Sequence, residues 1–262
     1  MRTGRRPPSF PSMNAIPVTA VITGASRGLG YALARTLNDT GYALVIDGRD
    51  PSALADAADT LRRPGGPPVL ALPGDIADAA HRAELRAAAR ELGGACLLVN
   101  NAGTLGASPR PALADYPITD LRDAFEVNVL APIALTQLLL PDLRRAAGAV
   151  LCVTSDAAVE GYSGWGGYGA AKAALEQACH VLAAEEAAVR VWRVDPGDLR
   201  TRMHQDAFPG EDISDRPLPE SVVPAFGRLI AERLPSGRYR AAELMPAPDR
   251  RPADRARVAV TP

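Results

Sequence analysis

The stretch Val18-Thr-Ala-Val-Ile-Thr23-Gly24-Ala-Ser-Arg-Gly28-Leu-Gly30, continued by Tyr31-Ala-Leu-Ala-Arg-Thr-Leu37, decides the fold. A short apolar, β-rich run breaks into three closely spaced glycines and then into an amphipathic helical pattern. The same alternation extends outward along the chain. Short β-rich runs recur at 42–46, 69–72, 96–100, 149–154 and 189–194, with a weaker seventh at 237–244. Helical patterns lie between them at 28–40, 51–63, 78–92, 119–146, 166–187 and 219–234. The strands are nearly continuous apolar runs, as expected when both faces of a sheet are covered. Strands separated by helices require right-handed crossovers, and these build a parallel sheet.

The pattern predicts an α/β fold of the Rossmann type, doubly wound, with a seven-stranded, mostly parallel sheet and helices on both faces. One domain is expected over 18–245, between a disordered N-terminal extension at 1–17 and a disordered C-terminal tail at 246–262. The first seventeen residues carry positive charge but lack the apolar core of a signal peptide. No apolar stretch approaches the ~18 residues of a membrane span. With 29 basic against 30 acidic residues, the chain lacks the cationic excess of a nucleic-acid or anionic-membrane binder. The three cysteines, Cys96, Cys152 and Cys179, lie far apart in apolar runs, without metal-ligand spacing. They are expected as core residues in a reducing cytoplasm, and no metal is expected.

In a doubly wound sheet, ligands bind at the carboxyl ends of the strands. Gly24 suits the tight turn after the first strand, Gly28 the approach of backbone to a pyrophosphate, and Gly30 close helix–sheet packing. The helix N-terminus supplies amides and partial positive charge, so the loop 24–30 is expected to hold a dinucleotide. The choice between NAD and NADP turns on charge beside the adenosine ribose. An acid at the end of the second strand serves the 2′-hydroxyl of NAD, whereas arginine serves the 2′-phosphate of NADP. Arg27 and Arg49 favour NADPH. Asp47 keeps NAD open, since a loop shifted by one residue brings that carboxylate to the ribose.

The TGxxxGxG spacing resembles that of the short-chain dehydrogenase/reductase family. Asn100-Asn101-Ala102-Gly103 is similar to the family's NNAG, and Tyr168-Gly-Ala-Ala-Lys172, with Ser155 thirteen residues earlier, to its YxxxK element. The resemblance covers about 18–245. It implies cofactor contacts from Gly24, Ser26, Arg27, Gly28, Leu29, Gly30, Arg49, Asp75, Ile76, Asn101, Ala102 and Gly103. Pro196, Gly197 and Thr201, in a turn similar to the family's PG turn, are implied beside the nicotinamide; Gly48 stands where NAD enzymes carry the acid. As catalytic groups it implies Tyr168 as general acid/base, Ser155 on the substrate oxygen, Lys172 on the nicotinamide ribose and Asn128 holding a relay water near the lysine.

On a helix Tyr168 and Lys172 share one face. A free tyrosine has a pKa near 10, and the adjacent ammonium is expected to favour phenolate. Of the 29 basic residues, Lys172 alone is lysine, at the position where a compact ammonium suits ribose and water better than a guanidinium fork. Segments 104–118, 156–167 and 198–218 are expected to line the substrate pocket, contributing Tyr116, Tyr162, Trp165, Met203 and Phe208 with Arg110, Arg200 and Arg202. Asp156, Tyr162 and Trp165 are the candidate substrate contacts, and His204 is expected to face solvent. The arginine-rich, alanine-rich composition suits a GC-rich bacterial genome. The apolar, alanine-rich pattern at 166–187 exceeds one buried stripe and predicts a homodimer or homotetramer.

The function expected is an NAD(P)H-dependent carbonyl reductase or secondary-alcohol dehydrogenase acting on a small molecule. Two alternatives stay open: a non-catalytic dinucleotide sensor or assembly protein on the same fold, and a dehydratase or epimerase.

Overall fold

The computed structural model describes residues 18–245; the extensions expected at 1–17 and 246–262 lie outside the described residues. Seven strands form one sheet in the order β3-β2-β1-β4-β5-β6-β7. They are β1 (Thr19–Ile22), β2 (Ala43–Gly48), β3 (Val69–Pro73), β4 (Ala95–Asn100), β5 (Ala149–Val153), β6 (Arg190–Asp195) and β7 (Gly237–Arg240). Every neighbouring pair is parallel, so the sheet is wholly rather than mostly parallel. Ile22, Leu44 and Ile46 pack on one face, and Val21, Val45 and Leu98 on the other. Two buried faces explain why the strands read as unbroken apolar runs.

The helices are α1 (Gly28–Asp39), α2 (Pro51–Leu61), α3 (Ala79–Glu91), α4 (Ile118–Phe125), α5 (Ala131–Arg145), α6 (Gly166–Glu185), α7 (Arg202–Ala207), α8 (Val223–Ala231) and α9 (Ala241–Leu244). Starts are locally encoded: Asp50 caps α2 by accepting from the amides of Ser52 and Ala53, ahead of Pro51 at its first position.

Three expectations are corrected. The helix expected at 119–146 is split by a π-helical turn, Glu126–Leu130, between α4 and α5. Pro132 has no N–H to offer the Asn128 carbonyl four residues earlier, so regular α-helical bonding fails there. The whole run Ile118–Arg145 is also long and apolar enough, by length and composition, to cross a membrane, contrary to expectation. Here one side of it packs into the core, with Leu135, Leu139 and Leu143 fully buried. Finally, the strand expected at 237–244 stops at Arg240 and becomes α9, which buries Ala241 and Leu244.

Candidate active site

The sheet order reverses direction between β1 and β4, which opens a crevice at their carboxyl ends. Thr23 Oγ1 accepts from the amides of Asn101 and Ala102, each at 3.0 Å. Asn101 Nδ2 donates to the carbonyls of Thr23 and Gly24 at 2.9 and 3.0 Å. The two loops are therefore stapled side by side. A Cβ on Gly30 would lie 2.4 Å from the Gly24 carbonyl oxygen, so only glycine permits this approach. Gly28 adopts φ +59°, in the left-handed region that favours glycine, and Thr201 of the β6–α7 loop lies against it.

The first turn of α1 carries no acidic side chain, and its N-cap makes no side-chain hydrogen bond. Its amides, with Ser26 and Leu29 alongside, suit phosphate, so the residues present fit a dinucleotide. Arg27 lies 3.5 Å from Asp50 in a half-exposed ion pair, and Arg49 is exposed. Arg49 and Asp75 line a cavity of about 480 Å³ together with Thr104 and Val127. Asp75 also accepts from the amide of Ala77 at 2.9 Å, and the neighbouring Ile76 is buried.

Asp47 does not face this cavity. It is buried; one oxygen accepts from the Gly24 amide at 2.6 Å and the other lies 3.3 Å from His81 Nε2. It is a strut of the glycine loop. The sequence carries no signal for this role of Asp47 and His81, because the partners lie on separate elements and share no motif.

At the other end, Ser155 follows β5 and Tyr168 and Lys172 lie on α6. Lys172 Nζ sits 5.6 Å from the Tyr168 ring centre and donates to the Val153 carbonyl at 2.9 Å. Burial pulls the Lys172 pKa down to about 8. The expected effect on Tyr168 is reversed. Burial first, then the carboxylates of Asp195 and Asp156, push the phenol well above its ordinary value near 10, while the Ser155 hydroxyl pulls the other way. The ammonium is itself partly desolvated and is turned to a main-chain carbonyl, so it does not offset these effects.

Asn128 lies in the π-helical turn, fully buried. Its side chain is occupied by Thr104, accepting from the amide at 3.0 Å and donating to the carbonyl at 2.8 Å. It stands behind Gly103, which also faces Lys172. A water shared with Lys172 would therefore have to hang from the Asn128 main chain rather than its amide group.

Ser155 Oγ donates to Asp156 Oδ1 at 2.9 Å and accepts from the Ala157 amide at 3.2 Å. Asp156 Oδ2 accepts from Tyr162 at 3.0 Å. Asp156 and Tyr162, with Asp195, Pro196 and Gly197, line a cavity of about 330 Å³. Trp165 stacks edge-on to Tyr168 at 5.7 Å and under the Arg110 guanidinium at 4.0 Å, with Phe208 also against it. Thr201 caps α7 by accepting from the His204 amide at 3.2 Å.

Two further expectations are corrected. Tyr116 is buried against Gly106 and Gly167, and its hydroxyl accepts from the Ala107 amide, so it braces the loop and does not line the pocket. His204 does not face solvent: its ring packs on Phe208 at 4.9 Å. Cys152 and Cys179, distant in sequence, bring their sulfurs to 2.9 Å in the core.

Residues 18–212 match the family model for short chain dehydrogenase. The chain is 36% identical to sepiapterin reductase of Meriones unguiculatus over 198 residues, covering 71% of this chain and 75% of that protein. It is also 36% identical over 193 residues to the rhamnolipids biosynthesis 3-oxoacyl-[acyl-carrier-protein] reductase of Pseudomonas aeruginosa, covering 70% and 73% of the two chains. The alcohol dehydrogenase of Thermococcus sibiricus, solved with 5-hydroxy-NADP, superposes with a TM-score of 0.77 at 28% identity, covering 85% of this chain and 95% of that one. The sheet order, the stapled glycine loop and these matches agree: the chain belongs to the short-chain dehydrogenase family of NAD(P)-dependent oxidoreductases.

Proposed function

We propose that this enzyme is an NADPH-preferring carbonyl reductase, able to run in reverse as a secondary-alcohol dehydrogenase. The carrying observation is the half-buried Tyr168 phenol beside the Ser155 hydroxyl, its ionisation opposed by desolvation and by Asp195 and Asp156. A neutral phenol is the form that donates a proton to a carbonyl oxygen. NADPH, when bound, would supply a hydride for the carbonyl carbon. Tyr168 would give its proton to the oxygen, Ser155 would orient that oxygen by a hydrogen bond, and Lys172 would hold the ribose hydroxyls. Ser155 must turn from Asp156 to do so, which makes Asp156 and Tyr162 the gate on its hydroxyl. The names of the two curated relatives, both reductases, support this direction.

Preference for NADPH is supported by Arg27 and Arg49 and by the absence of a free acid at the end of β2. Asp47 has both oxygens engaged, and Gly48 offers no side chain. Calorimetric titration with NADPH and NADH separately, followed by NADPH oxidation across a ketone panel, tests both parts. Binding without turnover on every ketone would favour a non-catalytic sensor instead.

We also propose a homodimer or homotetramer built on α5 and α6. Leu130, in the π-helical turn just ahead of α5, and Val181 on α6 are exposed, and Ala170 and Ala184 lie open on α6. Small residues there permit close helix–helix approach. Light scattering at micromolar concentration would refute this by giving the mass of one chain.

A further inference from the structure

One guanidinium joins three parts of the reaction centre that the sequence places far apart. Arg238 sits on the edge strand β7, yet its side chain is mostly buried. Its Nε donates to both oxygens of Glu176, at 2.9 and 3.2 Å. Its Nη2 donates to the main-chain carbonyl of Ser155 at 3.1 Å and lies 3.6 Å from Asp195 Oδ2.

Each partner carries something the reaction uses. Glu176 lies on α6 one helical turn past Lys172, so Tyr168, Lys172 and Glu176 share one face at i, i+4 and i+8. Glu176 also accepts from Thr154 Oγ1 at 2.7 Å, gripping the end of β5 just before Ser155. Asp195 accepts from the Gly197 amide at 3.0 Å, shaping the turn that closes the cavity. Asp195 is also the first of the two carboxylates that oppose ionisation of Tyr168.

We propose that Arg238 is a positioning residue: it fixes the Ser155 backbone against the Tyr168 helix and balances the charge of Glu176 and Asp195 beside the reaction centre. This rests on the catalytic reading of Ser155 and Tyr168 given above. A planar fork with several donors suits three acceptors at once; an ammonium at the end of a lysine reaches fewer of them. Catalytic geometry is sensitive to displacements of about 1 Å, worth ~100-fold in rate, so loss of the fork is expected in turnover more than in cofactor affinity.

The test compares wild type with Arg238→Met, Arg238→Lys and the double variant Arg238→Met/Glu176→Met. Each is measured by thermal melt, NADPH affinity, kcat and KM for one ketone. Arg238→Met should lower kcat about tenfold to a hundredfold with NADPH Kd nearly unchanged, and Arg238→Lys should recover part of the loss. The double variant removes one of the two carboxylates left uncompensated and should melt above Arg238→Met, yet keep the low kcat. It therefore carries the test if Arg238→Met alone does not fold. A folded Arg238→Met or double variant with kcat within about twofold of wild type would overturn the proposal. A wild-type protein inert on all ketones would instead sink the catalytic reading, and this inference with it.

Discussion

Asp47 Oδ1 accepts the backbone N–H of Gly24 at 2.6 Å, tying the end of β2 to the first glycine of the glycine-rich loop. The other oxygen is taken by His81, so a carboxylate only 2% exposed has a partner at each oxygen. Asp47→Ala leaves the part-buried Gly24 amide without its partner and strips the buried His81 imidazole of its nearer carboxylate, with Glu84 3.8 Å from the other ring nitrogen. It should cost about 3 kcal/mol in urea unfolding and weaken cofactor binding in calorimetry. An unchanged midpoint with an unchanged Kd would contradict the strut.

The same pair makes stability depend on pH. The Asp47 hydrogen bond raises the His81 pKa above its ordinary 6.5, partly opposed by burial. A pKa raised on folding gives stability that is fully present below pH 6.5 and is lost as pH rises through the folded value. The urea midpoint of wild type should therefore fall as pH rises from about 6.5, and His81→Gln should flatten that slope. Identical slopes in the two proteins would remove His81 as the cause.

Cofactor choice should respond to charge at the end of β2. The double variant Arg27→Ala/Arg49→Ala should weaken NADPH binding about tenfold or more and leave NADH binding nearly unchanged. Gly48→Asp should move preference toward NADH. Its new Cβ would lie 3.1 Å from Ser26, so some loss of affinity for both cofactors is also expected. Titration of each variant with each cofactor reads these differences, and equal losses for both would deny the arginines a phosphate.

Tyr168→Phe removes the hydroxyl but keeps the ring that packs against Trp165. Turnover should drop by about two to four orders of magnitude while NADPH Kd stays within a fewfold of wild type. Steady-state kinetics beside calorimetry separates the two, and near-normal kcat would refute Tyr168 as the acid.

Asp156 and Asp195 both oppose formation of the Tyr168 phenolate. Alcohol oxidation needs the phenolate, so its rate should keep climbing with pH beyond the range of ordinary tyrosines. Asp156→Asn deletes one opposing charge and should move the oxidative pH profile down by about one unit or less. A profile that stays in place, or moves up, would show that Asp156 does not act on the phenol.

How far the site was legible can be judged from single residues. Gly24, Gly28, Asn101, Ser155, Tyr168 and Lys172 stand in short local patterns that the sequence alone displays. The π-helical turn at Asn128 had a readable signal in Pro132, which the helical periodicity overrode. Arg238, Glu176 and His81 had none, because their partners lie on other strands and helices and no spacing links them. Asp47 was readable only as a choice between two roles.

Sequence alone determined the layered parallel sheet, the order of its elements and the loops that carry the chemistry. These follow from local causes: side-chain periodicity, the sterics of glycine and proline, and the i, i+4 geometry of a helix. Tertiary structure decided how charge is arranged within that frame. It engaged both oxygens of Asp47, turned Lys172 to the Val153 carbonyl, placed two carboxylates near Tyr168 and set Arg238 between three acceptors. Protonation depends on burial and on charges brought close by packing, and neither is written in the spacing of residues along the chain.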